Sequence, residues 1–142
     1  MPRTISGREA SIFACFTDAV VAPEPFLPPV RETDAVAFFD RWMGLLPRAN
    51  RAGLRALLLL AEVAPLATHG GRLRRIDRGR RAEWVQRIER SGNGHVRMLM
   101  KLLESAAQLS YYGNDAVLGQ LGYDAEANLS RGRALRAAEG RP

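Results

Sequence analysis

Apolar residues return at helical spacing through most of this chain, and capping and breaking residues divide the pattern into segments. Ser6-Gly-Arg-Glu9 has the spacing of a capping box, in which the serine hydroxyl accepts from an early amide and the glutamate reaches back. Ile12, Phe13, Phe16 and Val20 follow on one face, predicting a helix over Gly7–Val21. Pro23, Pro25, Pro28 and Pro29 end it. Segment 22–30 is expected to run extended, held to the surface through Phe26 and Leu27.

Asp34 is the expected cap of a second helix with Val36, Phe39, Met43 and Leu46 on one face. Pro47 separates it from a third, in which Arg48, Arg51 and Arg55 form a polar stripe. Residues 57–60, four leucines, erase that amphipathicity, so the half-helix before Pro65 should be covered on most sides. Thr68-His-Gly-Gly71 reads as a loop. Asp77 then caps a fourth helix with Trp84, Val85 and Ile88 inward, and Ser91-Gly-Asn-Gly94 turns the chain again. The fifth helix, about 96–110, is the most apolar. Arg97, Lys101, Glu104 and Gln108 make one narrow polar strip, so either the other helices wrap it or part of its apolar surface serves another protein. The tail 125–142 carries Arg131, Arg133, Arg136 and Arg141 with few apolar residues, and reads as a short helix or an extended arm.

No repeat and no convincing strand interrupts this series. The expected fold is all-α: a compact single-domain bundle of about five to six helices around a central apolar helix, with 1–124 as the helical domain. At 142 residues, 46% of them hydrophobic, the chain suffices for one core and is short for two. No apolar run is judged long enough to cross a bilayer, since 57–60 is bounded by Arg55 and Glu62. The opening residues Met1-Pro-Arg-Thr lack an export leader, which points to the cytoplasm.

The candidate chemistry is sparse. A lone cysteine, Cys15, permits no internal disulfide and sits among phenylalanines, as a buried inert thiol would. His69 and His95 stand apart with no metal-ligand spacing, so no metal site is expected. Gly70-Gly71 and Gly92-Asn-Gly94 lack a nucleotide-binding fingerprint. No activated nucleophile or acid–base pair can be assembled, so independent catalysis is not expected and no catalytic, cofactor or metal residue is assigned.

Two features point instead to docking. The net charge is +6, and every basic residue except Lys101 is arginine or histidine, with six arginines in positions 72–81. Beyond them, Leu109-Ser-Tyr-Tyr-Gly113 ends the apolar helix, Asn114 or Asp115 restarts the chain, and Leu121-Gly-Tyr123 closes a short helix. Tyrosines crowded around glycines suit close approach of a second surface. The contact residues expected on this basis are Tyr111, Tyr112, Gly113, Leu121, Gly122 and Tyr123, rimmed by Arg74, Arg75, Arg80 and Arg81.

The pattern over 38–124, with Ala61-Glu-Val-Ala-Pro65, Arg80-Arg-Ala-Glu-Trp84, Leu109-Ser-Tyr-Tyr-Gly113 and Leu121-Gly-Tyr123, resembles the gluconate 2-dehydrogenase subunit 3-like family. These are small accessory subunits of membrane-associated flavin dehydrogenases. The resemblance implies a non-catalytic chain that stabilises a larger flavoprotein of the glucose-methanol-choline class, with FAD in that partner. Family members commonly carry a twin-arginine export signal, from which this sequence departs. The competing expectation is a free-standing basic helical module that binds nucleic acid or an anionic membrane surface. A third is a pocket for an apolar ligand, lined by residues 57–60 and 98–103.

Overall fold

A computed structural model describes residues 3–140. Among them the fold is all-α and contains no strand. In chain order the helices are α1 (Gly7–Val21), α2 (Ala35–Leu45), α3 (Arg48–Val63), α4 (Leu66–His69), α5 (Arg78–Glu89), α6 (Gly94–Tyr112), α7 (Asp115–Gln120) and α8 (Ala125–Ala138). Arg141, read with the tail, lies outside the described residues, as do Met1 and Pro2.

The local signals act largely as their chemistry requires. Ser6 and Glu9 form the reciprocal capping box, and Asp77, Asn93, Asn114 and Asp124 each accept from an amide in the first turn of α5, α6, α7 and α8. At α2 the cap differs from expectation. Asp34 makes no capping bond; the Thr33 hydroxyl accepts from the Ala35 amide at 3.3 Å instead. The Asp34 carboxylate is occupied by Arg41 and by the Asn114 amide, a link from α2 to the corner before α7.

The core lies where α1 crosses α6, with α2, α3 and α5 around them. Phe13 and Phe39 stack with ring centroids 3.8 Å apart, and Ile12, Phe16, Met43, Leu58, Leu73 and Leu103 close the space around them. A second, smaller cluster joins Val21, Leu27, Val30, Ala35, Tyr111 and Val117. It draws the proline-rich connection onto the α6–α7 corner. Leu27 is therefore buried as expected, whereas Phe26, expected beside it, is 62% exposed because only one of two adjacent side chains can face the cluster.

Other expectations are corrected. Leu66–His69 forms a helical turn ended by left-handed Gly70 (φ 67°), so Thr68 and His69 are not in a loop. Of the two readings of the tail, a short helix or an extended arm, the helix is the one observed, the fourteen-residue α8, although it buries no residue. Arg48–His69, spanning α3 and α4, is after all long and apolar enough to cross a membrane by length and composition. It is bound to this fold by buried Leu54, Leu58, Ala61 and Glu62.

Candidate docking surface

The orientation of α3 reverses the usual arrangement of a surface helix. Beyond exposed Arg48, its charged side chains turn toward the protein. Arg51 donates to the carbonyls of Gly44 and Leu46, and Arg55 pairs with buried Glu9 at 2.6 Å. Glu62, fully buried, receives Arg74 Nε at 2.9 Å and the Arg74 amide at 3.3 Å, and its own carbonyl accepts from the Leu73 amide. A carboxylate at that depth requires such partners, so Glu62 fixes how the 72–77 segment crosses α3.

With the polar stripe consumed internally, the opposite stripe faces solvent. From Ala52 to Ala67 the exposed residues are Ala52, Gly53, Ala56, Leu59, Leu60, Val63, Leu66 and Ala67, without a charge among them. The leucines of 57–60 are thus not covered on most sides, as the sequence suggested. Leu58 is buried and Leu57 half-buried, but Leu59 and Leu60 are exposed.

Helix α6 continues the surface. Met98, Leu99, Leu102 and Leu109 are exposed, a much wider apolar face than one narrow polar strip would leave. Between α3 and α6 run two adjoining clefts that share Leu57 and Leu99. One, about 110 Å³, is walled by Leu60, Trp84, Ile88 and Val96; the other, about 450 Å³, by Trp42, Leu46, Gly53 and Leu102. Sequence reasoning came near this site through the apolar runs of the two helices. The sequence left open whether the α6 face would stay uncovered and predicted cover for α3, because the periodicity of one helix does not reveal which stripe a neighbour will claim.

The expected tyrosine corner is split by the fold. Tyr111 is fully buried, with its hydroxyl donating to the Pro28 carbonyl at 2.7 Å and its ring edge-on to Tyr112. It completes the second cluster and is not a contact residue; burial raises its pKa first, with the neighbouring Tyr112 and Asp18 acting the same way. Tyr112, Leu121 and Tyr123 do lie outward, at 39%, 49% and 52% exposure. The glycines between them have structural causes. A Cβ on Gly113 would sit 2.7 Å from the Leu109 carbonyl oxygen, and Gly122 adopts φ 72°. The Tyr123 amide returns to Leu118 and that of Gly122 to Gly119, a Schellman ending.

The arginine cluster is divided as well. Arg74 is committed to Glu62. Arg81 donates to the carbonyls of Leu73 and Arg74, so both serve the fold and not a rim. Arg80 lies outward near Asp77 and the His69 carbonyl, Arg78 pairs with Asp18 at 3.1 Å, and Arg75 is exposed.

Cys15 is half-buried at the wall of a cleft beside Asp18, Arg78 and Arg81. Burial raises its pKa, with Asp18 and Glu62 acting the same way and Arg81 and Arg74 opposing, which favours the protonated thiol. His69 sits at the end of α4 against Thr68, and His95 is exposed in the first turn of α6. Among the described residues no three metal-ligating side chains converge. Comparison with known protein families, curated protein sequences and solved structures finds no match for this chain.

Proposed function

We propose that this chain is a non-catalytic accessory subunit that binds and stabilises a larger flavin-dependent alcohol or sugar dehydrogenase of the glucose-methanol-choline class. The flavin and its redox chemistry would belong to that partner. The observation that carries the docking role is the open apolar face of α3 and α6, built from a helix whose charges beyond Arg48 are turned inward. Contiguous exposed apolar surface is costly for a free protein and characteristic of an interaction site. The resemblance in the sequence motifs supplies the class of partner. Tyr112, Leu121 and Tyr123 are further exposed apolar side chains, and Arg75 and Arg80 are outward cations able to meet an acidic partner surface.

Purification of the tagged chain from its host at moderate salt tests this reading. A stoichiometric larger protein with flavin absorbance in the same peak is expected, and replacement of Tyr112 and Tyr123 by alanine should weaken the complex while leaving helicity intact. A colourless chain eluting alone would overturn it.

A second reading has its own observation. Helix α8 exposes Arg131, Arg133 and Arg136 and buries no residue, as an arm for nucleic acid or an anionic membrane would. Its mark would be nucleic acid in the purified peak, removed by raising the salt.

A further inference from the structure

We infer that the cleft between α3 and α6 is a receptor groove for one amphipathic helix of a protein partner, carrying apolar side chains at i, i+3 or i+4, and i+7 with acidic residues on its flanks. The inference rests on the docking role proposed above, but not on the partner being a flavoprotein.

Shape argues for a helix. The two clefts adjoin through Leu57 and Leu99 along α3 and α6, one closed by Trp84 and Ile88 of α5 and the other by Trp42 of α2 and Leu46 just after it, apolar hollows of the kind that a helix ridge fills. A bilayer presents no ridge to fill such a concavity. Small residues on the α3 side, Ala49 and Gly53 at the larger cleft, let a backbone approach closely, while Leu60, Leu99 and Leu102 provide the walls.

Charge selects the flanks. The only acids of α3 and α6, Glu62 and Glu104, are both buried. The charges these helices expose are Arg48, Arg97 and Lys101, all positive. Arg48 precedes groove residue Ala49, and Arg97 lies between groove residue Val96 and exposed Met98. Helix α5, which walls the smaller cleft, adds exposed Glu83 and Glu89 against exposed Arg80 and Arg87, so the charge around the clefts is cationic in excess, and an incoming helix with Glu or Asp outside its apolar stripe is favoured over one with Lys or Arg.

The experiment places a photo-crosslinking benzophenone side chain at Leu60 of the full chain in its host, with the same group at Phe26 as a control on another face. Mass spectrometry then identifies the crosslinked segment. The expected product is a single partner peptide with the stated apolar spacing and acidic flanks. It should form from position 60 and not 26, and its yield should fall at least about tenfold when Leu99→Glu is added, because a carboxylate would be buried in the closing trough.

A synthetic copy of that peptide should bind the purified chain, and its binding should be lost when its flanking acids are changed to lysine. Circular dichroism of the Leu99→Glu variant controls for folding, which the 41% exposure of Leu99 should protect. Crosslinks to lipid, to this chain's own peptides or to a segment without helical apolar spacing would each overturn the inference, as would no product. A fitting helix from a protein without flavin would sustain the groove and remove the flavoprotein reading.

Discussion

Replacing Glu104 by glutamine should stabilise this protein at neutral and alkaline pH, an unusual result for a buried residue near a lysine. Glu104 lies on α6, 2% exposed, and its Oε1 has no hydrogen-bond partner. Burial raises its pKa above the ordinary 4.5, and Glu89 on α5 raises it further, by its like charge and by a carboxyl–carboxylate hydrogen bond that needs one of the pair protonated. Lys101, one turn earlier on α6, opposes both. The Lys101 ammonium is 3.6 Å away but its side chain is 75% exposed, so the pair is worth about 0.3–0.5 kcal/mol. An unsatisfied buried charged oxygen costs about 1–3 kcal/mol. The penalty therefore wins, and removing the charge should yield a net gain of about 1–2 kcal/mol at pH 8.

The sign with pH follows from the raised pKa. The protonated form of Glu104 favours the folded state below its unfolded pKa, near 4.5, and that contribution is lost as pH rises through the higher folded value. Wild type should thus lose stability relative to the glutamine variant across that interval, and the two should converge near pH 4. Urea denaturation from pH 4 to pH 8 measures the difference, which in melting temperature amounts to about 2–4 °C for each kcal/mol. A variant less stable than wild type at pH 8, or an identical pH slope for the two proteins, would refute the reasoning.

Tyr111 and Arg74 allow two further tests of residues that the fold has withdrawn from the surface. Tyr111→Phe should cost about 1 kcal/mol for the bond to the Pro28 carbonyl, and Tyr111→Ala about 3–5 kcal/mol for the cavity, whereas Tyr112→Ala should cost under about 1 kcal/mol by the same denaturation assay. Arg74→Ala leaves the Glu62 carboxylate buried without its cation and should cost about 3–5 kcal/mol. In a Glu62→Gln background the same change should cost less than half as much, since no charge is then stranded, and a double-mutant cycle reads the coupling.

Much of the helical framework was legible because its causes are local. A serine three residues before a glutamate, or an aspartate before a run of helix formers, satisfies amides within its own turn. The limits of α1 and the cap of α5 could therefore be read without knowledge of any neighbour. Where two local solutions compete, neighbours decide. Asp34 is as good a cap as Thr33 in isolation, but Arg41 and Asn114 draw its carboxylate away.

The exposed apolar face of α3 and α6 was legible only in part, for the same reason at larger scale. Composition required that Leu57, Leu58, Leu59 and Leu60 find apolar contact, but a helix carries every side of itself in one sequence. Which side is buried depends on distant residues: Glu9, 46 positions before Arg55, and Arg74, 12 positions after Glu62, pull the charged stripe of α3 inward. Leu59 and Leu60 are left outside as a consequence. Tyr111 and Tyr112 make the same point side by side. Adjacent positions on a helix point about 100° apart, and the proline-rich segment covers one of them while the other faces solvent. Sequence alone determined that this chain is helical and basic; tertiary packing decided which apolar residues became core and which became surface, because burial belongs to pairs of elements and not to any one of them.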